Sequence, residues 1–306
     1  MASGASPSTS AADETQNAPL GIGMMVAGFF LFAVNDTFVK WMAETYPPGQ
    51  IMLFRNIASV AILLPFLWRA GFASLFRMDR PWLHAMRLVF ATAEVLCFYL
   101  AVSGLGLADI MTYYLAGPIY VTVLAAVFLK EQVGWRRWSA VAVGFVGVLV
   151  ALKPSTGMLS YHALVALAGS VFYAFFITAT RRVHGTSGLS MAAWQVIVGL
   201  VTGAVLSPFQ WVPFGGAVDA GVFFFLGLAS LGAIVCVNYA LKLAPASVVV
   251  PYQYTVIIWA VIFGFFVFGD VPSWRVLAGA AIIICAGLYI FFREQRVARA
   301  SAAAAN

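Results

Sequence analysis

The chain has 306 residues, of which 63% are hydrophobic and 9% charged, and a mean hydropathy of +0.95. That leaves too little polar surface for a soluble globule and marks an integral membrane protein. The net charge of +6 does not point to nucleic acid, because the basic residues stand singly or in pairs between apolar spans, where cytoplasmic loops place them.

Residues 1–18 are rich in Ala, Ser and Thr and lack a basic start, so they read as a disordered tail and not as a cleaved signal. Ten apolar spans follow, roughly 20–43, 49–69, 82–104, 108–129, 135–152, 161–181, 187–208, 220–241, 246–268 and 274–292. Most come close to the ~20 residues that cross a hydrocarbon core. Residues 293–306 read as a second tail. Short connections make consecutive helices antiparallel neighbours and leave no room for a soluble domain. Cys97, Cys236 and Cys285 all fall within spans, as small packing residues do.

Orientation follows from counting Lys and Arg in alternate loops. With the N-terminus inside, twelve basic residues fall inside and Lys153 and Arg275 outside, which predicts that both termini are cytoplasmic. Lys40, Arg55 and Arg87 lie within spans.

A segment recurs. Glu131, Trp135 and Arg136 follow one apolar span, and Asp270, Trp274 and Arg275 follow another in the same spacing. Gly28 with Lys40 likewise repeats as Gly169 with Arg181. Five spans separate the copies, so the expected fold is all-α: ten transmembrane helices as two inverted five-helix repeats, 19–153 and 154–292. Such halves can exchange conformations and open a shared cavity to either side in turn. Ala140, Gly144 and Gly147 in the fifth span, with Gly279 and Ala286 in the tenth, suit a scaffold or a homodimer seam.

Charges at membrane depth need a reason. Glu94, near the middle of the third span, is a candidate for a proton-linked or ammonium-binding group, or a structural carboxylate bonded to Arg87 or a hydroxyl. Asp36, Lys40 and Arg55 suit an outer gate, or an ion-pair network fixing the first hairpin. In the fourth span Tyr113, Gly117 and Tyr120 share one helical face, and Gly117-Pro118 frees backbone carbonyls, which are tolerated only where protein or a watery cavity satisfies them. The ninth span repeats that character with Pro251, Tyr252, Gln253, Tyr254 and Trp259. Two interrupted helices at corresponding positions mark a central binding site. Asn238 and Tyr239 in the eighth span, and Trp194 with Gln195 in the seventh, add hydrogen-bonding groups at similar depth.

The two copies, together with Gly21 to Lys40, resemble the drug/metabolite transporter superfamily in its ten-helix EamA type, over nearly the whole chain from about residue 20 to 292. Asn35-Asp36 with Lys40, Arg55-Asn56 and the Pro-Tyr-Gln-Tyr-Thr at 251–255 are similar to a bacterial branch whose members carry amino acids, S-adenosylmethionine-like metabolites or riboflavin. The resemblance implies a secondary carrier in the bacterial inner membrane, more often an exporter. It also implies a cavity among the third, fourth, eighth and ninth helices, which brings forward Glu94, Tyr99, Tyr113, Asn238 and Tyr252.

The expected partners are therefore a small polar or aromatic organic metabolite and the bilayer, and no cofactor is expected. His84, His162 and His184 lie on separate segments, and no metal, phosphate-loop or hydrolytic pattern occurs. A nucleoside-like or flavin importer is the alternative cargo reading. From other classes, an intramembrane enzyme lacks a dyad, and a non-transporting receptor or assembly protein lacks an output domain.

Overall fold

The computed structural model describes residues 18–76, 78, 80–128, 135–152, 160–183, 186–243 and 249–305, and among these the chain is all-helical. The helices are α1 (Ala18–Met42), α2 (Pro48–Ala70), α3 (Pro81–Val102), α4 (Leu107–Tyr114), α5 (Gly117–Phe128) and α6 (Trp135–Leu152), then α7 (Tyr161–Arg182), α8 (Gly188–Leu206), α9 (Ala217–Leu243), α10 (Val256–Phe268) and α11 (Trp274–Ala305). Glu131, the acid expected to mirror Asp270, and the tail over 1–17 lie outside the described residues.

Among the described residues seven helices, α1, α2, α3, α7, α8, α9 and α11, are long and apolar enough to cross a membrane. The structure thus departs from ten comparable spans. The fifth expected span is apolar only over Trp138–Ala151, and the ninth over Tyr252–Phe268. The fourth is broken at Leu115 and Ala116, between α4 and α5. Pro118 explains the break: its nitrogen has no hydrogen to give the Tyr114 carbonyl, so the ladder stops and restarts. In the ninth span Pro251 sits in a 3-10 turn, Val250–Thr255, ahead of α10.

Helix starts and stops follow local chemistry. Pro48 and Pro81 open α2 and α3, where a missing N–H costs nothing. The Ser187 hydroxyl caps α8 by accepting from the Ser190 N–H at 3.1 Å. Gly269, at φ 69°, ends α10 in the left-handed region, which lets the Asp270 N–H reach back to the Gly264 carbonyl at 2.9 Å. The last helix runs past the membrane-length stretch into the Ala-rich 293–305, expected as a tail; alanine's helix propensity accounts for the extension.

The bundle is built from four principal pairs: α3 on α7, α1 on α9, α2 on α8 and α6 on α11. Small residues set the closest crossings. A Cβ added at Gly28 of α1 would stand 2.7 Å from a Val237 methyl on α9, and one at Gly169 of α7 would stand 2.9 Å from the Cys97 Cβ on α3. At Gly279 of α11 it would meet the Gly147 carbonyl oxygen of α6 at 2.7 Å. Backbones this close gain dispersion contacts that lipid-facing leucines could not supply. The small-residue faces of the fifth and tenth expected spans are therefore occupied within the chain, as a scaffold.

Candidate functional site

A cavity of about 490 Å³ lies between the pairs, lined from α1, α2, α3, α4, α7, α8, α9 and the turn before α10. Its lining is exposed at Gly188, where α8 begins, and at Asn238, near the end of α9. These two points lie at one end of the bundle. Toward the other end the lining is buried at Met52 (2% exposed), Tyr99 (2%) and Asn35 (5%).

The charged groups of the lining are Asp36, Arg55, Arg87 and Glu94. The two arginines differ. Arg87 is held by protein: Nε donates to Thr180 Oγ1 at 3.0 Å, Nη2 to Gln195 Oε1 at 3.2 Å and Nη1 to the Met191 carbonyl at 3.5 Å, and the guanidinium lies 5.0 Å from the Phe176 ring centre. It ties α3 to α7 and α8. Arg55 stacks over Tyr99 at 5.7 Å, and its buried Nε has no hydrogen-bond partner among the described residues. The buried Tyr99 Oη and Asn35 Oδ1 share that condition. All three atoms belong to side chains that line the cavity, while four further buried orphans among the described residues, His84 Nδ1, Tyr120 Oη, Thr178 Oγ1 and Trp259 Nε1, belong to residues that do not. Asp36 and Glu94 lie within electrostatic reach of Arg55 there. Asn35 Nδ2 donates to Asp36 Oδ1 at 3.1 Å, and Tyr114 Oη lies 3.4 Å from the Glu94 carbonyl oxygen.

Beyond Tyr99 the bundle is closed by polar cross-links. Gln50 Nε2 donates to the Val212 carbonyl at 2.6 Å and Gln50 Oε1 accepts from the Val212 N–H at 3.0 Å. Tyr46 donates to Asp219 and accepts from the Gly215 N–H at 2.8 Å. Lys40 pairs with Asp270 and sits 4.5 Å from the Phe268 ring centre. Outside this seal lies a shallow depression of about 340 Å³, and Tyr99 lines both it and the inner cavity. The Tyr99 ring is thus part of the partition.

Of the residues singled out in the sequence, Asp36, Arg55, Arg87, Glu94, Tyr99, Gln195, Asn238, Gln253 and Tyr254 line the cavity. Lys40 belongs to the seal, 230 residues from its partner, and not to a cluster with Asp36 and Arg55. Tyr113 and Tyr120 are buried in the core, Tyr120 against Phe145 with ring centres 5.7 Å apart. Gly117 lies under the Tyr173 ring, where a Cβ would meet carbon at 3.2 Å, and the side chain of Pro118 lies outside the described residues. Tyr239 and Tyr252 are exposed, and Trp259 packs edge-on to Phe30 at 5.1 Å. Tyr173 and Phe176 line the cavity without having been singled out. A signal existed: Tyr173 follows Gly169 by one helical turn, as the lining residue Phe32 follows Gly28.

The sequence profile of the EamA-like transporter family matches residues 19–153 and 160–292. Among curated proteins the chain is similar to an S-adenosylmethionine uptake transporter of Rickettsia felis, 26% identical over 90% of this chain and 94% of that one. It is similar to a riboflavin transporter of Rhizobium johnstonii, 26% identical over 94% and 96%, and to the pseudopaline exporter CntI of Pseudomonas aeruginosa, 26% identical over 87% and 94%. A crystal structure of 13% identity covers 92% of this chain and 99% of its own with a TM-score of 0.61, a likeness of fold.

Proposed function

Because this chain belongs to the EamA-like transporter family, we propose that it is a ten-helix secondary carrier that moves a small polar organic metabolite across the bacterial inner membrane by alternating access. The observation that carries the reading is the cavity itself: a chamber lined largely by apolar side chains but holding four charged ones, exposed at one end and closed by hydrogen bonds at the other. Charges at such depth are costly and persist where a polar solute passes.

The ten-span count takes the broken α4–α5 as one span and α6 and α10 as two short ones. The inverted repeat is supported by the pairing of helices. Exchanging each helix with its counterpart five spans away turns the α3–α7 pair into α9–α1, and returns α2–α8 and α6–α11 to themselves. Both glycine-packed crossings obey the exchange. The distribution of Lys and Arg supports cytoplasmic termini, which makes this an inward-open arrangement. Direction of net flux would then follow the gradients; the uptake and export names among the relatives show that both occur on similar chains.

Uptake into liposomes containing only the purified protein, without ATP, tests the reading. Amino acids, S-adenosylmethionine and riboflavin form the panel, and saturable uptake of at least one is expected. Ligand binding without flux would replace the carrier by a receptor.

A further inference from the structure

We propose that the chamber has two unequal gates, Tyr99 with Gln50 at the closed end and Asn238 with Leu189 at the open end, and that this inequality makes the state seen here the resting one. The proposal rests on the carrier reading and adds to it the residues that close each end and the state that the empty carrier prefers.

The repeat identifies the counterparts. The spacing that relates Trp135 to Trp274 and Arg136 to Arg275 also relates Met52 to Met191, Asn56 to Gln195 and Tyr114 to Gln253, and these six all line the chamber. It relates Cys97 to Cys236, which occupy the same place in the two glycine crossings: a Cβ added at Gly169 would stand 2.9 Å from the Cys97 Cβ, and one at Gly28 would stand 3.3 Å from the Cys236 Cβ. By the same spacing Tyr99 corresponds to Asn238, Gly49 to Gly188, Gln50 to Leu189 and Leu206 to Leu67.

These counterparts are packed at one end and loose at the other. Tyr99, Gly49 and Met52 are buried, whereas Asn238 and Gly188 are exposed and Met191 is half-buried. A Cβ added at Gly49, in the first turn of α2, would stand 2.7 Å from the Leu206 Cβ of α8. At Gly188, where α8 begins, it would meet nothing within 4 Å. Exchanging the shapes of the halves brings Gly188 onto Leu67 and puts Asn238 in the place of Tyr99, which closes the mouth.

The two closures differ in chemistry. At the closed end Tyr99 sets a whole ring between the chamber and the outer depression, with the Arg55 guanidinium 5.7 Å from its centre. Gln50 adds two hydrogen bonds to the Val212 backbone, of 2.6 and 3.0 Å. In the opposite state Asn238 offers only a short amide, and the Leu189 side chain has no polar atom with which to clamp a facing backbone. One ring contact and two hydrogen bonds therefore favour closure at Tyr99 over closure at Asn238. A two-state carrier populates the better-closed form.

The test labels single cysteines with a water-soluble maleimide. Met52→Cys and Met191→Cys are each made in a chain whose Cys97, Cys236 and Cys285 are replaced by alanine, which keeps the Cβ at both crossings. Met191→Cys should label quickly and Met52→Cys slowly. Asn238→Tyr gives the open end a ring, and the ratio of Met52→Cys to Met191→Cys labelling should rise about fivefold. Gln50→Leu removes the clamp, and the ratio should rise about tenfold. Gly188→Leu places a side chain in space that is empty now and filled on closure, so the ratio should fall at least fivefold. Unchanged thermal midpoints show that folding is not the cause. An unmoved ratio in Asn238→Tyr, or faster Met52→Cys labelling without slower Met191→Cys labelling, overturns the gates. Saturable flux in the wild type together with that result leaves the carrier reading standing, and absence of flux for every compound of the panel overturns both.

Discussion

The two stretches that match the family, 19–153 and 160–292, share a packing plan and differ in what they give the cavity. Gly28 and Gly169 are used alike, each admitting a partner helix to near backbone contact. The charges are not shared: Asp36, Arg55, Arg87 and Glu94 all come from the first stretch, while the second supplies Tyr173, Phe176, Thr180, Gln195, Asn238 and Gln253. On the proposed carrier reading, symmetry serves the movement and asymmetry the recognition. A carrier needs its halves alike in order to exchange shapes, but its solute is not symmetric. The uncharged side also anchors the charged one, since Thr180 and Gln195 hold Arg87.

The largest effect should come from breaking the charged side. Arg55→Leu removes the guanidinium within electrostatic reach of Asp36 and Glu94 in the cavity, and transport efficiency should fall by roughly 30-fold or more, corresponding to at least about 2 kcal/mol, with membrane expression retained. The shared packing should respond equally in both halves. Gly28→Leu and Gly169→Leu each force a side chain into an occupied crossing and should each cost about 1–3 kcal/mol, read as matched drops in thermal midpoint. A large drop at one crossing only would contradict the exchange of α3–α7 with α9–α1.

Smaller losses should follow on the uncharged side. Gln195→Ala removes one partner from Arg87 and should reduce transport by about tenfold, near the lower end of the roughly 1.5–3 kcal/mol range for a bond to a charged group. Asn238→Ala, at the open end where water can replace the amide, should change it by about threefold at most. Tyr252→Ala alters an exposed ring and should leave kinetics within about twofold.

Seven of the ten expected spans, the breaks at Pro118 and Pro251 and the charged residues inside the bundle were legible because each is a local property of composition or backbone chemistry. Helical phase across a break was not. Tyr113, Gly117 and Tyr120 share a face only if the fourth span is one continuous helix. The interruption at Leu115 and Ala116 puts Tyr113 in the core and Tyr114 at the cavity. The 3-10 turn before α10 acts in the same way, so that Gln253 and Tyr254 line the chamber while Tyr252 is exposed. Lys40 shows the other limit. Asp36 stands four residues away, yet the partner is Asp270, delivered by the left-handed Gly269 at the end of α10. A choice between two acids of that kind is settled by tertiary packing.

Counterflow in protein-only liposomes tests the carrier account most directly. Vesicles loaded with unlabelled S-adenosylmethionine are diluted into a trace of the labelled compound, with no ion gradient and no ATP. A carrier that turns over by exchanging the shapes of its halves should accumulate label transiently above its equilibrium level, and Arg55→Leu should abolish the overshoot. Entry of label that only approaches equilibrium monotonically in the wild type would contradict alternating access around this cavity, whereas no entry of label would contradict S-adenosylmethionine as the solute and move the same experiment to the other compounds of the panel.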